Sequence, residues 1–322
     1  MGIKFLNNIL REQCDKSIWQ IGLSELAGKK IAVDISIYLY KYEATDTLLE
    51  NMYLMLATFR ENNITPIFVF DGKPPPEKNA ILKKRRDDKA AAKTEYDKLK
   101  EDLDSLPTTD KREHLSQLKK QCVYMTHEKI DSVKDLIRAY GATYYDAPGE
   151  ADELCALLVI KKKAWACLSE DMDLFVYGCN RVLRYLSLTN QSAVLYYTKG
   201  ILQKLNMTQI EFREICVLSG TDYNINNNCF ILPNTIALFR KYQDINKDLN
   251  KVTFYDWIKE TNLNLNLNLN LNLDIDLLKK INSMFDILDS TTTLENIKIY
   301  NGPIQKELVR KIMKEDGFLF ID

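Results

Sequence analysis

Short apolar runs alternate with amphipathic stretches through the first part of the chain. The runs KKIAVDIS, TPIFVFDG, GATYYDAP, AWACLSED, RVLRYL and AVLYYT are typical of buried strands bounded by turn residues. Helical periodicity lies between several of them, at residues 37–62, in HEKIDSVKDLIRAYG and in EADELCALLVIKKK. Strands that alternate with helices predict an α/β fold with a mainly parallel twisted sheet flanked by helices.

Two regions depart from this alternation. Residues 77–121 are highly charged and contain no strand-like run, which predicts two helices with a break near Pro107, Thr108 and Thr109. After Asp222 the pattern is mostly helical. Six Asn-Leu repeats at residues 262–273 interrupt it, and we expect them to form a poorly packed loop. Such a repeat suggests an AT-rich genome, such as that of a large DNA virus or a protist.

The chain therefore divides into four segments. Residues 1–76 form an N-terminal α/β segment, residues 77–121 a helical insertion, and residues 122–224 a second α/β segment that completes the sheet. Residues 225–322 form a helical region. By composition, the insertion is either a solvated helical decoration or a basic arch over a binding cleft.

Composition places few limits on function. The chain has 322 residues, 46% of them apolar, and seven irregularly spaced cysteines that we expect to be reduced inside a cell. It contains no apolar run long enough for a membrane span and no signal-peptide pattern in MGIKFLNNIL. The net charge is −1, but basic residues concentrate between Lys78 and Lys93, which favours a polyanionic partner.

In four of five acid-bearing motifs, carboxylates stand at or just beyond the end of a strand-like run, and the fifth motif, LSGTDYN, carries Asp222. Carboxyl ends of parallel strands share one edge of a sheet, where ligands bind, so we expect these acids to gather in one cleft. Carboxylates so close to one another cannot all stay ionised without cations, which predicts that they bind divalent metals. A pair of such metals in an all-carboxylate cleft is suited to cleaving phosphodiesters. The acids are Asp34, Asp71, Glu150, Asp152, Asp171, Asp173 and Asp222.

Six short motifs resemble those of the flap endonuclease family of structure-specific nucleases, which includes the XPG-type repair nucleases. They are MGI, VDIS, FDGKPP, DAPGEADEL, SEDMD and SGTDY, and their order and spacing also match over roughly residues 1–245. The resemblance implies a PIN/5′-nuclease-like fold. It also implies a 5′ flap endonuclease and 5′-to-3′ exonuclease that hydrolyses DNA phosphodiesters by two-metal-ion catalysis in replication or repair.

The resemblance also assigns the acids to metals. It implies that Asp34, Asp71, Glu150 and Asp152 surround one ion, partly through water. Asp171, Asp173 and Asp222 would complete the second. The family uses Mg²⁺, for which Mn²⁺ can substitute, and both ions suit oxygen ligands. Asp152 stands where many relatives have Glu, so its shorter side chain is expected to act through water.

Other positions match residues that contact DNA in the family. Lys78 and Arg85, spaced as on one helix face, would contact the scissile phosphate. Tyr40 would stack on a base at the cleavage point, and Gly2 would let the N-terminus approach the cleft. The alternatives are solubilising surface cations at Lys78 and Arg85 and a core aromatic residue at Tyr40.

The KKRR run from Lys83 and Lys84 to Arg86 has two interpretations, nuclear localisation or DNA contact, and its place in the proposed arch favours DNA contact. The two histidines, His114 and His127, are expected on the surface, so metals rather than a histidine base would activate water.

One stretch departs from the family pattern. The family usually has a Gly-x-Gly turn after the last acid, whose amides grip duplex phosphates, whereas this chain has Cys229, Phe230 and Ile231. Without glycine the backbone cannot easily approach phosphate, so duplex binding is expected to be weaker or achieved differently.

Two other function classes stay open. One is a catalytically silent nuclease-like module that binds DNA, and the other is a related nuclease for junctions or RNA ends. The expected partner is branched DNA with a single-strand/duplex junction. The protein is expected to be an intracellular monomer without membrane contact, in either a nucleus or a viral replication compartment. Sliding-clamp contact is left open, since the sequence up to FLFID shows no clear clamp-binding motif.

Overall fold

The structure is a computed structural model that describes residues 2–101, 109–224, 230–246, 253–264, 274–288, 294 and 297–318. The chain forms two compact units, each assembled from segments that are distant in sequence. The first unit comprises Met1–Ile21, Asp152–Leu186 and Ser192–Leu294. The second unit comprises Gly22–Ala151, Ser187–Gln191 and Glu295–Asp322. The division into four segments drawn from the sequence stays a prediction.

Strands and helices alternate through most of the described chain. The strands are β1 (Ile18–Gly22), β2 (Lys30–Asp34), β3 (Thr65–Phe70), β4 (Thr143–Asp146), β5 (Ala166–Leu168), β6 (Arg181–Ser187) and β7 (Ser192–Tyr197). The helices are α1 (Leu6–Gln13), α2 (Ser36–Glu43), α3 (Leu48–Glu61), α4 (Asn79–Glu101), α5 (Thr109–Gln121), α6 (His127–Ala139), α7 (Ala151–Ile160), α8 (Asp173–Tyr177), α9 (Thr198–Leu205), α10 (Gln209–Ser219), α11 (Leu232–Asn246), α12 (Phe254–Asn264), α13 (Ile275–Met284) and α14 (Lys306–Glu315).

In the second unit, β2, β3 and β4 pair in parallel in that order. Asp34 stands opposite Val69, and Phe70 stands opposite Asp146, so the carboxyl ends of the three strands lie at one edge. The strands are apolar because they are covered: every residue of β2 after Lys30 and every residue of β3 after Thr65 is buried. Helices α3 and α6 pack against this sheet and against each other.

In the first unit, the strands lie in the order β1, β7, β6 and β5, and β5 pairs with β6 in parallel. Phe175 and Tyr196 pack edge to face in its core, with ring centroids 5.6 Å apart. The predicted α/β class, with mainly parallel strands flanked by helices, is confirmed.

The helical insertion forms the two predicted helices, α4 and α5, which pack against each other. Helix α4 is highly charged and buries only Ala92, so most of its surface is exposed. Thr109 begins α5, whereas Pro107 and Thr108 of the predicted break lie outside the described residues.

The Asn-Leu tract was expected to be a loop throughout, and this is wrong at its start. Helix α12 continues to Asn264, three residues into the tract, because the helix buries Phe254, Tyr255 and Ile258 and carries its regular backbone onward. The rest of the tract lies outside the described residues.

The C-terminal segment packs against α6 within the second unit. The amide of Gly302 donates to the carbonyl of Gly141 at 2.7 Å, and a Cβ on Gly141 would lie 2.6 Å from the carbonyl oxygen of Gly302. Val309 and Met313 of α14 are buried. Glycine at position 141, with φ +71°, thus permits a close backbone approach between segments far apart in sequence.

None of the described helices combines the length and apolarity needed to span a membrane.

Candidate active site

Three of the predicted acids follow adjacent strands of the second unit. Asp34 is the last residue of β2, and Asp71 comes directly after β3. Glu150 follows the turn after β4. Since these strands are parallel neighbours, the structure brings the acid-bearing strand ends to one edge of the sheet, as the sequence predicted.

The loop that carries Asp71 is fixed against the turn that carries Glu150. One oxygen of Asp71 accepts a hydrogen bond from the hydroxyl of Ser36, and the other accepts from the amide of Ala151 at 2.8 Å. The amide of Gly72 donates to the carbonyl of Gly149 at 2.7 Å. A Cβ on Gly72 would lie 1.9 Å from the carbonyl oxygen of Ala147, so only glycine fits there.

Lys78 is not a solubilising surface cation. Only 6% of the residue is exposed, and its Nζ lies 2.5 Å from Oε1 of Glu150. It ends the 3₁₀ turn Pro76–Lys78, whereas Arg85 is exposed within α4. The two cations therefore do not share one continuous α-helical face, because the prolines before Lys78 delay the start of the helix.

Tyr40 is not a core residue either. It lies in α2 and is 48% exposed. Partial burial raises its phenol pKa, and the negative charge of Asp71 raises it further. The predicted DNA-contacting residues Lys83, Lys84 and Arg86 are all exposed on α4.

Two further acids lie close together in the first unit, in the turn after β5. The amide of Asp171 donates to the hydroxyl of Ser169 at 3.0 Å, and the amide of Asp173 donates to Oδ1 of Asp171 at 3.0 Å. Asp173 begins α8 and is only 1% exposed. These two hydrogen bonds fix the backbone of the SEDMD motif and hold the carboxylates of Asp171 and Asp173 close to each other.

Gly2 contacts this pair of acids. A Cβ at this position would lie 2.6 Å from Oδ1 of Asp171 and 2.6 Å from Oδ1 of Asp173, and the residue has φ +74°. The structure thus supplies a steric reason for glycine at a position that the sequence singled out only by resemblance.

Asp152 and Asp222 occupy helical and turn positions in the same unit. Asp152 is buried near the start of α7. Asp222 lies in a tight turn closed by Asn224, whose Oδ1 accepts from the hydroxyl of Thr221 at 2.7 Å.

Tyr177 was missed by sequence reasoning. It ends α8, and its hydroxyl lies 3.3 Å from that of Tyr223, next to Asp222 in sequence. Burial raises the pKa of Tyr177 well above its ordinary range, and the negative charge of Asp152 adds to the effect. Its position four residues after Asp173, one helical turn, was the available signal.

The donor set is entirely oxygen, which fits hard divalent cations such as Mg²⁺ and Mn²⁺. Within the described ranges, no group of three or more His, Cys, Asp or Glu is already gathered around a metal position. The acids of the second unit instead contact protein donors such as Ser36 and Lys78. A metal bound by those acids would therefore replace some of their existing hydrogen bonds and ion pairs.

Comparison with known proteins places these motifs in a family. The model of the XPG N-terminal domain matches residues 1–92 and the model of the XPG I-region matches residues 141–222, together more than half of the chain. The acids from Asp34 to Asp222 all fall within these two matches.

Curated relatives agree with the family models. Flap endonuclease 1 from Glycine max is 33% identical over 242 residues, which cover 69% of this chain and 62% of that protein. Flap endonuclease 1 from Aedes aegypti is 29% identical over 282 residues, 81% of this chain and 72% of that protein. The match to the Glycine max protein thus spans less than two thirds of its length.

Among solved structures, the catalytic core of Rad2 in complex with a DNA substrate superposes with a TM-score of 0.69. The match covers 96% of this chain and 95% of that one at 18% identity. At this identity the likeness shows a shared fold.

Proposed function

Because this chain belongs to the flap endonuclease family of XPG-type nucleases, we propose that it is a structure-specific 5′ nuclease that hydrolyses phosphodiesters in branched DNA. The observation that carries the proposal is the placement of the family's acids in the second unit. Asp34, Asp71 and Glu150 follow three adjacent parallel strands and are positioned by defined contacts. Such strand ends are where open parallel sheets bind ligands.

The proposal includes two divalent cations, Mg²⁺ in the cell. Asp34, Asp71, Glu150 and Asp152 would hold one, and Asp171, Asp173 and Asp222 the other. When bound, such ions supply an activated water and stabilise the leaving 3′-oxygen. The motif sequences and the all-carboxylate donor set support this assignment.

Lys78 would act on the scissile phosphate. Its buried contact with Glu150 holds the ammonium group beside one of the metal-binding acids, so little side-chain freedom remains to be lost when a phosphate arrives. As negative charge develops on the phosphate, a cation held in place stabilises it without reorganisation. Arg85, on the exposed surface of α4, would contribute a second positive charge, and Tyr40 would stack on a base.

No histidine takes the role of general base in this proposal. His114 is exposed, with its Nε2 2.9 Å from Glu95 in the insertion, and His127 is exposed at the start of α6. Their surface positions agree with the expectation that the proposed metals activate the water.

Duplex binding is proposed to differ from the usual family pattern. Cys229 lies outside the described residues, whereas Phe230 is buried and Ile231 is exposed just before α11. Neither is glycine, so a backbone grip on phosphate is disfavoured here and exposed cations must contribute more. We propose a monomeric enzyme inside the cell that binds branched DNA, without a commitment on sliding-clamp contact or on the compartment.

The test is cleavage of a 5′-labelled flap duplex in Mg²⁺, in Mn²⁺ and in EDTA, beside a blunt duplex, a four-way junction and an RNA flap. We expect metal-dependent cutting at the flap base and slower cutting of the other substrates. If the junction or the RNA flap is cut faster than the DNA flap, that nucleic acid would be the preferred substrate class in place of the DNA flap. Binding without cutting in any metal would favour the silent DNA-binding module.

A further inference from the structure

An exposed aromatic residue lies outside every motif discussed so far. Tyr124 belongs to the loop that joins α5 to α6, and 73% of it is exposed. A single exposed aromatic ring is common on protein surfaces, so what distinguishes Tyr124 is the cation and the second exposed ring beside it.

Lys89 connects Tyr124 to Tyr40. The Nζ atom of this α4 residue lies 5.0 Å from the centroid of the Tyr124 ring and 5.6 Å from that of the Tyr40 ring. Partial burial lowers the pKa of Lys89, so the ammonium group is partly removed from water. One cation therefore lies against two aromatic rings, both of them in the second unit.

The surroundings favour a polyanion. Arg85, Lys89 and Lys93 recur every four residues along α4, which places them on one face of the helix. This face of α4 meets the loop at Lys89, whose Nζ lies 5.0 Å from the centroid of the Tyr124 ring. Lys93 is paired with Asp97 at 2.8 Å. Cations interleaved with exposed aromatic rings form the usual surface for single-stranded nucleic acid, whose backbone is charged and whose bases stack.

We propose that Tyr124 is a second stacking platform for an unpaired base of single-stranded DNA, and that Lys89 covers the rings of Tyr124 and Tyr40 until the strand arrives. The proposal deepens the nuclease function proposed above, because it identifies where the unpaired 5′ arm lies. On binding, Lys89 exchanges its ring contacts for a phosphate of that strand, and each ring receives a base.

The exchange is expected to favour binding, because a base stacked on an aromatic ring contributes more than a partly exposed cation–π contact. The displaced ammonium group is not left unpaired, since a phosphate replaces the rings. A peptide or lipid ligand could contact the rings but would not carry a row of regularly spaced phosphates. The repeated cations of α4 therefore favour a nucleic acid strand.

The test measures binding rather than cleavage. A single-stranded oligonucleotide carrying 2-aminopurine is titrated with the full chain in EDTA, and both quenching and affinity are recorded. Tyr124→Leu should weaken binding by about tenfold and reduce quenching, as loss of one stacked base predicts. Tyr124→Phe should behave as wild type, because it keeps the ring.

Two further variants separate stacking from general surface effects. Tyr300→Leu is the matched control: Tyr300 is exposed, and its hydrogen bonds to Thr143 are made by its backbone, so binding should not change. Lys89→Met should keep the quenching but lower the salt dependence of binding, since one phosphate contact is lost. Thermal melting confirms that each variant is folded.

The outcomes distinguish this inference from the nuclease proposal. Wild-type quenching and affinity in Tyr124→Leu, or an equal loss in Tyr300→Leu, would overturn the role of Tyr124 even if flaps are cut. If flaps are not cut but Tyr124→Leu alone loses quenching, the nuclease proposal fails and the stacking platform stands. Quenching that Lys89→Met abolishes would contradict the proposed exchange.

Discussion

The two compact units hold their carboxylates by different means. In the second unit, Asp71 and Glu150 keep close donors, namely the Ser36 hydroxyl, the Ala151 amide and Lys78. In the first unit, Asp173 is buried beside Asp171, and the negative charge of Asp152 helps to raise the pKa of Tyr177. The second unit thus positions Asp71 and Glu150 by contacts with protein donors, whereas the first buries Asp173 next to a second carboxylate.

The largest effect is expected at the first unit's acids. Asp171→Asn keeps the size of the side chain and its oxygen for the Asp173 amide but removes one negative charge. If the concentrated charge holds a metal, cleavage of a flap duplex should fall at least about 1,000-fold, or roughly 4 kcal/mol of transition-state stabilisation. Single-turnover kinetics in Mg²⁺ measure this.

The control for Asp171→Asn is a measurement that the variant is folded. Circular dichroism and thermal melting should match the wild type, because the hydrogen bonds of the turn are retained. Cleavage within tenfold of wild type would remove Asp171 from the metal site.

Lys78 tests the paired arrangement of the second unit. Lys78→Met keeps the aliphatic stem but leaves Glu150 without its cation, so stability should fall by about 3 kcal/mol. Single-turnover cleavage should slow by about 100-fold while affinity for the flap changes less, because the contact strengthens as charge develops. Urea denaturation, binding titration and single-turnover rates give the three quantities.

A surface lysine provides the matched control for Lys78→Met. Lys311 faces Glu315 at 3.9 Å, four residues away on α14, with 72% and 69% of their side chains exposed. Lys311→Met should leave stability within about 0.5 kcal/mol of wild type and leave cleavage unchanged. Equal losses of affinity and rate in Lys78→Met would reduce Lys78 to simple phosphate attraction.

Gly2 tests the crowding in the first unit. In Gly2→Ala, the new methyl group would displace the carboxylates of Asp171 and Asp173, and we expect cleavage to slow by about 10- to 100-fold. Gly28→Ala is the control, since Gly28 has the same φ of +74° but no atom within 4 Å of an added Cβ. It should cost about 1 kcal/mol of stability and leave cleavage intact. Equal activities of the two variants would show that the contact with the carboxylates is unimportant.

The sequence predicted the parallel strands and their acids well because both signals are local. A buried strand such as IAVD is recognisable from its run of consecutive apolar residues, and the acid that ends the strand directly follows this run in the sequence. The close approach of Gly72 to Ala147 and the contact of Lys78 with Glu150 join segments about 75 residues apart. No single-sequence periodicity encodes such contacts, so they needed the structure.

Elements with weak periodicity were also missed. In β1 only Ile21 is buried, because the strand presents most of its side chains to solvent, so IWQIG carries no clear strand pattern. Tyr177 was also missed, because its relation to Asp152 joins residues 25 positions apart and is visible only in the folded chain. Tyr124 was missed because an exposed residue in a short loop has no pattern at all.

Glu214 sharpens the comparison with a carboxylate outside the proposed site. Burial raises the pKa of this α10 residue from 4.5 to about 7; Glu211 and Asp256 add to the shift, while Lys279 and Arg213 oppose it. Because the pKa is higher in the folded state, the folded protein retains a proton that the unfolded chain has released. The resulting stabilisation is complete below pH 4.5 and is lost as the pH rises through about 7.

Glu214→Gln stays neutral at every pH, so it should be more stable than the wild type at pH 8 and equally stable at pH 4. The expected gain is about 1 kcal/mol, since the partial exposure of Glu214 screens the full value of the shift. Urea denaturation across this pH range measures it, with Glu307→Gln on the exposed face of α14 as a control that should not differ from wild type. A gain independent of pH would mean that the amide packs better and that charge burial plays no part. A pH-dependent gain would show that burying the charged carboxylate of Glu214 costs the fold stability despite the opposing charges of Lys279 and Arg213.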